Sequence, residues 1–162
     1  MSFGPGALNA SGVYVGSTPA IAVYLGPTQV WSSAVTPAFV NLGQTMALGA
    51  RTRVAPWVPN QFYPGTVVAN NEIVVAGQGP ATITVNLKRP GTTYTLYGWI
   101  MVNDIQVWAG TSGGTTVFGS IPHTLNPGDR VRAEVQQASG STGGNRQLTA
   151  GADTYLSIDP AA

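Results

Sequence analysis

Three segments that share a Pro-Gly turn pattern interrupt this chain, Tyr63-Pro64-Gly65-Thr66, Arg89-Pro90-Gly91-Thr92 and Asn126-Pro127-Gly128-Asp129, and they limit what it can fold into. Proline fixes φ near −65° at the second position of a turn, and glycine accepts the positive φ that a type II turn requires next. Each pair therefore predicts a tight reversal. Glycine (21) and proline (12) recur throughout, and no stretch places apolar residues at i, i+3, i+4 and i+7 over three turns, so helices are not expected. Val102-Asn103-Asp104-Ile105 adds a two-residue hairpin, because Asn and Asp tolerate left-handed φ.

Between the turns the sequence alternates. Ile83, Val85 and Leu87 share one face of a strand, with Thr82, Thr84 and Asn86 on the other. Val131, Ala133 and Val135 oppose Arg130, Arg132 and Glu134 in the same way. Such strands are half-buried, with one wet side. Tyr94 to Val102 differs, because Tyr94, Leu96, Ile100 and Val102 line one face while Tyr97, Trp99 and Met101 line the other. A segment apolar on both sides needs two covers. A subunit interface is expected to provide the second.

The N-terminal part repeats itself. Val13-Tyr14-Val15-Gly16-Ser17-Thr18-Pro19-Ala20 is echoed by Val23-Tyr24-Leu25-Gly26-Pro27-Thr28-Gln29-Val30. Each unit reads as a short strand with a Gly-centred turn, and the pair as successive strands of a small β-meander. Such a pair is marginal alone in water, so it should serve as an attachment segment, with Tyr14, Tyr24 and Trp31 as contacts. The expected division is an appendage at 1–34 and a main domain at 35–162.

Composition narrows the function. Only 8% of the 162 residues are charged, against about 25% in ordinary domains. Seven basic residues nearly cancel six acidic ones, and Lys88 is the sole lysine. A monomer usually relies on net charge to stay dispersed. This composition suits a surface covered by copies of itself or by neighbours; a monomer solubilised by Thr, Ser, Asn and Gln is the plainer alternative. No basic stripe favours nucleic acid. No apolar run approaches the roughly 18 residues of a membrane span, the start Met1-Ser2-Phe3-Gly4 does not read as a signal peptide, and a soluble protein without membrane insertion is expected. With no cysteine, disulfides, thiolate metal sites and cysteine nucleophiles are excluded.

Few residues suggest chemistry. His123 is the only histidine and precedes a turn, where a surface or contact role is the ordinary one. No serine sits in Gly-x-Ser-x-Gly on a strand-to-helix turn. The acids Glu72, Asp104, Asp129, Glu134, Asp153 and Asp159 are scattered, which does not suggest the paired carboxylates of a glycosidase. Asp129 and Asp153 would offer oxygens to a hard cation only if their loops met. Ser139 to Asn145 is glycine-rich but lacks the Lys-Ser/Thr and helix of a phosphate loop. No enzyme, cofactor or metal is expected. Trp57, Phe62 and Tyr63 lie in a proline-studded segment and are candidates for a partner or glycan contact.

Two stretches resemble known families. The repeat, ending Val23-Tyr24-Leu25-Gly26-Pro27-Thr28-Gln29-Val30-Trp31, resembles a segment of minor tail proteins from phages of mycobacteria and related actinobacteria. Val54 to Pro160 resembles the jelly roll of the complement C1q globular domain, tumour necrosis factor and many phage fibre proteins. The residues behind this are Ile73-Val74-Val75, Val102-Asn103-Asp104, Leu125-Asn126-Pro127-Gly128-Asp129-Arg130-Val131 and Thr154-Tyr155-Leu156-Ser157-Ile158. The resemblance implies an all-β, two-sheet antiparallel jelly roll that trimerises about a threefold axis lined by aromatic and aliphatic residues. Tyr94, Leu96, Tyr97, Trp99, Met101 and Tyr155 are the interface candidates it implies. The usual opening Phe-rich strand is missing.

The expected function is that of a phage virion structural protein, made in the host cytoplasm and carried on the virion. It would be a trimeric minor tail protein whose partners are its own copies, other virion proteins and host cell-wall glycan. The alternatives are a trimeric capsid decoration protein, an independent carbohydrate-binding module and, least supported, a depolymerase.

Overall fold

Inward residues recur at every second position along 79–88, which is the period of a strand covered on one side. The same period builds the rest of the domain. The computed structural model describes residues 34–91, 94–138 and 146–161, and before them the backbone of four short strands. No helix occurs among the described residues, so none is long and apolar enough to cross a membrane.

The chain divides into two units, Met1–Ser33 and Ala34–Ala162. In the first, β1 (Tyr14–Val15) pairs with β2 (Thr18–Pro19), and β3 (Ala22–Leu25) pairs with β4 (Thr28–Ser32), both antiparallel. Each copy of the repeat is thus a hairpin of its own, not one strand of a shared meander. The side chains of Tyr14, Tyr24 and Trp31 lie outside the described residues.

The second unit is a sandwich. Its strands are β5 (Ala38–Leu42), β6 (Met46–Ala47), β7 (Thr52–Arg53), β8 (Trp57–Pro59), β9 (Val67–Ala69), β10 (Glu72–Val74) and β11 (Gly79–Lys88), followed by β12 (Leu96–Val102), β13 (Ile105–Ser112), β14 (Thr116–Leu125), β15 (Arg130–Gln137), β16 (Gln147–Leu148) and β17 (Gly151–Pro160). One sheet runs β13-β12-β15-β10-β9 with β7 also on β15; the other runs β14-β11-β17-β5-β8. Neighbours such as β11 and β17 are distant in sequence, and all the pairings are antiparallel. This is a jelly roll.

Ile83, Val85 and Leu87 from one sheet meet Leu96, Ile100 and Val135 from the other, all fully buried. Each such side chain contributes about 1.5–3 kcal/mol on leaving water. Along the β13 and β14 edges the two sheets close over Trp108, whose ring lies so close to Gly110 and Gly119 that a Cβ at either would overlap it.

The turns follow their chemistry with one exception. Asp129 N donates to Asn126 O at 3.1 Å and Gly128 has φ +86°, as a type II turn requires. Asn103 (φ 49°) and Asp104 (φ 67°) form the expected hairpin. At Tyr63 to Thr66 the reversal is closed by Thr66 N on Tyr63 O at 3.0 Å, yet Gly65 is not among the positive-φ glycines. That turn does not need glycine's freedom. Thr92, in the third turn, lies outside the described residues.

Candidate association face

The five-stranded sheet turns one face outward, and register sets what it shows. Val58, Asn41, Tyr155, Asn86 and Phe118 form one row across β8, β5, β17, β11 and β14. Phe39, Ser157, Thr84 and Ser120 form the next. Neither row contains a charge. Lys88, paired with Asp153 at 2.6 Å, stands beyond one side, and Asp159 beyond the other.

Aromatic rings concentrate on this face. Phe39 stacks on Tyr155 with centroids 4.9 Å apart and on Tyr63 at 5.3 Å. Val58 is 50% exposed and Phe118 60%, and Phe62, beside Tyr63 in the β8–β9 connection, is 77% exposed. Small hydroxyls complete the surface, with Thr84 and Ser120 hydrogen-bonded at 3.2 Å.

The other sheet's outward face is its opposite. Glu72 lies within salt-bridge distance of Arg53 (3.3 Å), Arg130 (3.5 Å) and Arg132 (3.1 Å). Arg132 also binds Asp104 and Glu134, and Arg51 reaches Glu134 at 2.6 Å. Burial opposes the charged form of Arg132, but hydrogen bonds to Glu134, Asp104 and Glu72 outweigh it and hold the guanidinium above its ordinary value. Burial likewise opposes ionisation of Glu134, and hydrogen bonds from Arg132 and Arg51 overcome it, leaving the carboxyl below its ordinary value. The side of β15 expected to be wet is a largely enclosed ion-pair network: Arg132 is buried and Glu134 half-buried.

The expected interface residues separate accordingly. Leu96 is fully buried between the sheets and is unavailable to a partner, because its phase along β12 points it inward. Tyr94 precedes β12, which begins at Leu96. Tyr97, Trp99 and Met101 do share the outward face, but the chain supplies part of their cover itself. The Arg51 guanidinium lies 4.2 Å from the Trp99 ring, with Tyr97 stacked on Trp99 at 6.2 Å and Arg51 Nη2 3.3 Å from Met101 Sδ. Tyr155 stands in the uncharged face of the opposite sheet.

Trp57 is a correction. It is 5% exposed and belongs to the core, because its register opposite Leu42 turns the indole inward. It cannot stack on a sugar or a partner. Phe62 and Tyr63 remain at the surface, and Phe39 is the member of the aromatic group that sequence reasoning missed. A Phe at the fifth position of Val35-Thr36-Pro37-Ala38-Phe39-Val40 was the available signal.

The chemistry-bearing residues do not converge. Asp129 follows the turn at the Gly79 end of β11, and Asp153 pairs with Lys88 at the other, so ten residues of strand, roughly 30 Å, separate them. His123 lines a shallow cleft of about 180 Å³ with Val102, Asn103, Ile105, Val107 and Asp129. The Asp129 carboxylate there accepts from Asn103 Nδ2 (2.7 Å) and Asn126 N (2.7 Å), which ties down the turn. Among the described residues no group of three His, Cys, Asp or Glu is placed to hold a metal ion.

No family model matches the chain, and no curated protein matches it. Solved structures do. Eiger TNF from S. frugiperda superposes with a TM-score of 0.58 at 14% identity, over 80% of this chain and 94% of that one. Murine APRIL gives 0.57 at 11% identity, over 78% and 99%. A second structure of murine APRIL, at pH 8.0, gives 0.58 at 12% identity. At these identities the likeness shows the fold: a C1q/TNF-like jelly roll.

Proposed function

We propose that this chain is a structural subunit of a phage virion, a minor tail protein that works as a homotrimer. The observation that carries the association is the uncharged, aromatic-bearing face of the five-stranded sheet. Two rows of Thr, Ser, Asn, Phe, Tyr and Val cross it without a charge, and depletion of charge with enrichment of Tyr and Phe marks the centre of protein interfaces. Copies of the chain are the partner that such a face fits, in a protein with so little charge elsewhere. The virion assignment rests on the N-terminal repeat, whose likeness to minor tail proteins gives the hairpins β1–β2 and β3–β4 a role in attachment. A jelly roll without convergent catalytic groups then acts by display, with host cell-wall glycan as its contact. The reading as an independent carbohydrate module loses its main residue, since Trp57 is in the core; capsid decoration shares the same trimer.

The test is a charge placed in that face. Thr84→Lys should leave the fold intact, with a stability change within about 0.5 kcal/mol as for a surface substitution, and convert a trimer to monomers in sedimentation velocity. Ile105→Lys, on the exposed β12–β13 hairpin, should leave the trimer unchanged. A monomeric wild type at high concentration overturns the proposal. Antibody labelling of intact particles separates tail from capsid.

A further inference from the structure

Arg89 continues the inward phase of β11, two positions beyond Leu87, and is 1% exposed. Its Nε and Nη2 donate to Gly114 O at 3.1 and 2.8 Å, and Nη2 also donates to Tyr94 O. No carboxylate pairs with it among the described residues. Its Nη1 is buried without a partner. A guanidinium does not lose its proton in a protein, so it cannot escape burial by becoming neutral as a lysine can. Desolvation does pull its pKa down from the ordinary value.

Gln137 lies at the same end of the sandwich, on the other sheet. It ends β15 in phase with Val131, Ala133 and Val135, all inward, and is 4% exposed. Its register partner is Leu96, two residues from Tyr94. Both Nε2 and Oε1 are buried without a partner. The same end of the sandwich interior therefore holds a positive charge that no carboxylate among the described residues balances and a carboxamide without a hydrogen bond. Buried polar groups are normally satisfied, and an unpaired charge is the costliest exception.

We propose that this end of the sandwich binds a monovalent anion of the halide class, which accepts hydrogen bonds from Arg89 Nη1 and Gln137 Nε2. The carbonyl dipoles of Gly114 and Tyr94 supply two partial negative ends, but no compensating charge. A water molecule would accept the same hydrogen bonds and leave the charge unanswered. A direct bond from Arg89 Nη1 to Gln137 Oε1 would do the same. An anion meets both needs.

Crystals of the full chain soaked in sodium bromide test this by anomalous diffraction. The expected result is a bromide within hydrogen-bonding distance of Arg89 Nη1 and Gln137 Nε2. Thermal unfolding in chloride should also give a higher Tm than in gluconate at equal ionic strength, because a ligand that binds only the folded state stabilises it by mass action. Arg89→Met should abolish that difference. Gln137→Met, which keeps the charge and removes one donor, should shrink it if the Arg89 variant does not fold. Bromide found only on the surface, an ordered water or a direct Arg89–Gln137 bond in its place, or equal Tm in the two salts, overturns the proposal.

Discussion

On the six-stranded sheet the outward face collects four of the chain's seven basic residues and three of its six acidic ones. On the five-stranded sheet the two central outward rows hold none. The strands beneath are built alike, with period-two alternation over one shared core. What differs is how each face is finished. The charged face is closed by the chain's own side chains, salt bridge upon salt bridge, with Arg51 laid over Trp99. The uncharged face leaves Val58 and Phe118 to the solvent. An apolar outward residue is therefore no sign of an interface by itself; the sign is an apolar residue that the chain has not covered.

That contrast can be broken most forcefully at Glu72. Its carboxylate is enclosed and serves three arginines, of which Arg132 is itself buried. Breaking a buried pair by removing one partner costs about 3 kcal/mol or more. Arg53 and Arg130 are partly exposed and add little. Arg132 keeps Asp104 and Glu134 as partners, so Glu72→Ala should lower the chemical-denaturation free energy by somewhat less, about 1.5–3 kcal/mol, while leaving sedimentation unchanged. A change in oligomeric state with stability intact would reverse the roles given to the two faces.

Arg51→Ala sharpens the comparison with a smaller effect. It removes the cation over Trp99 and one partner of Glu134. At a side chain 38% exposed the ion pair is screened, and the loss should be about 1 kcal/mol. The informative readout is tryptophan fluorescence, which should shift to the red as Trp99 meets water. No shift would mean that Arg51 is not the cover.

Much of the fold was legible because turns and alternation are local. Asn126-Pro127-Gly128-Asp129 announces its turn through residues that sit next to one another, and Ile83, Val85 and Leu87 announce their phase likewise. Asn70 and Asn71, both at positive φ, make the β9–β10 hairpin, a turn that was not among those expected although the pair carries the same chemistry as Asn103-Asp104. The faces were less legible because partners on a sheet come from distant sequence. Arg51 covers Trp99 from 48 positions upstream, and Phe39 meets Tyr155 from the far end of the chain. Trp57 illustrates the same limit: proline-rich flanks suggested exposure, but a register opposite Leu42 sends the ring inward. Arg89 was hidden by its position beside a Pro-Gly turn, which disguised it as a loop residue although it keeps the strand's inward phase.

The smallest effect concerns pH, and its sign follows from Glu134. Burial opposes its ionisation, but Arg132 and Arg51 hold the folded carboxyl below its ordinary value, while in the unfolded chain it titrates near the reference of about 4.3. The folded state then binds fewer protons than the unfolded one in that window, so stability rises with pH there. The contribution is complete above the unfolded value and disappears as pH falls through the folded one. Glu134→Gln should be less stable than wild type at neutral pH and should lose less on acidification, so that the two curves draw together below roughly pH 4. The uncharged face has no Asp, Glu, His, Lys or Arg in its central rows, and association through it should hold down the acid range for as long as the sandwich stays folded. If the proposed trimer dissociated on acidification while the fold persisted, the charged sheet, and not the uncharged one, would be carrying the interface.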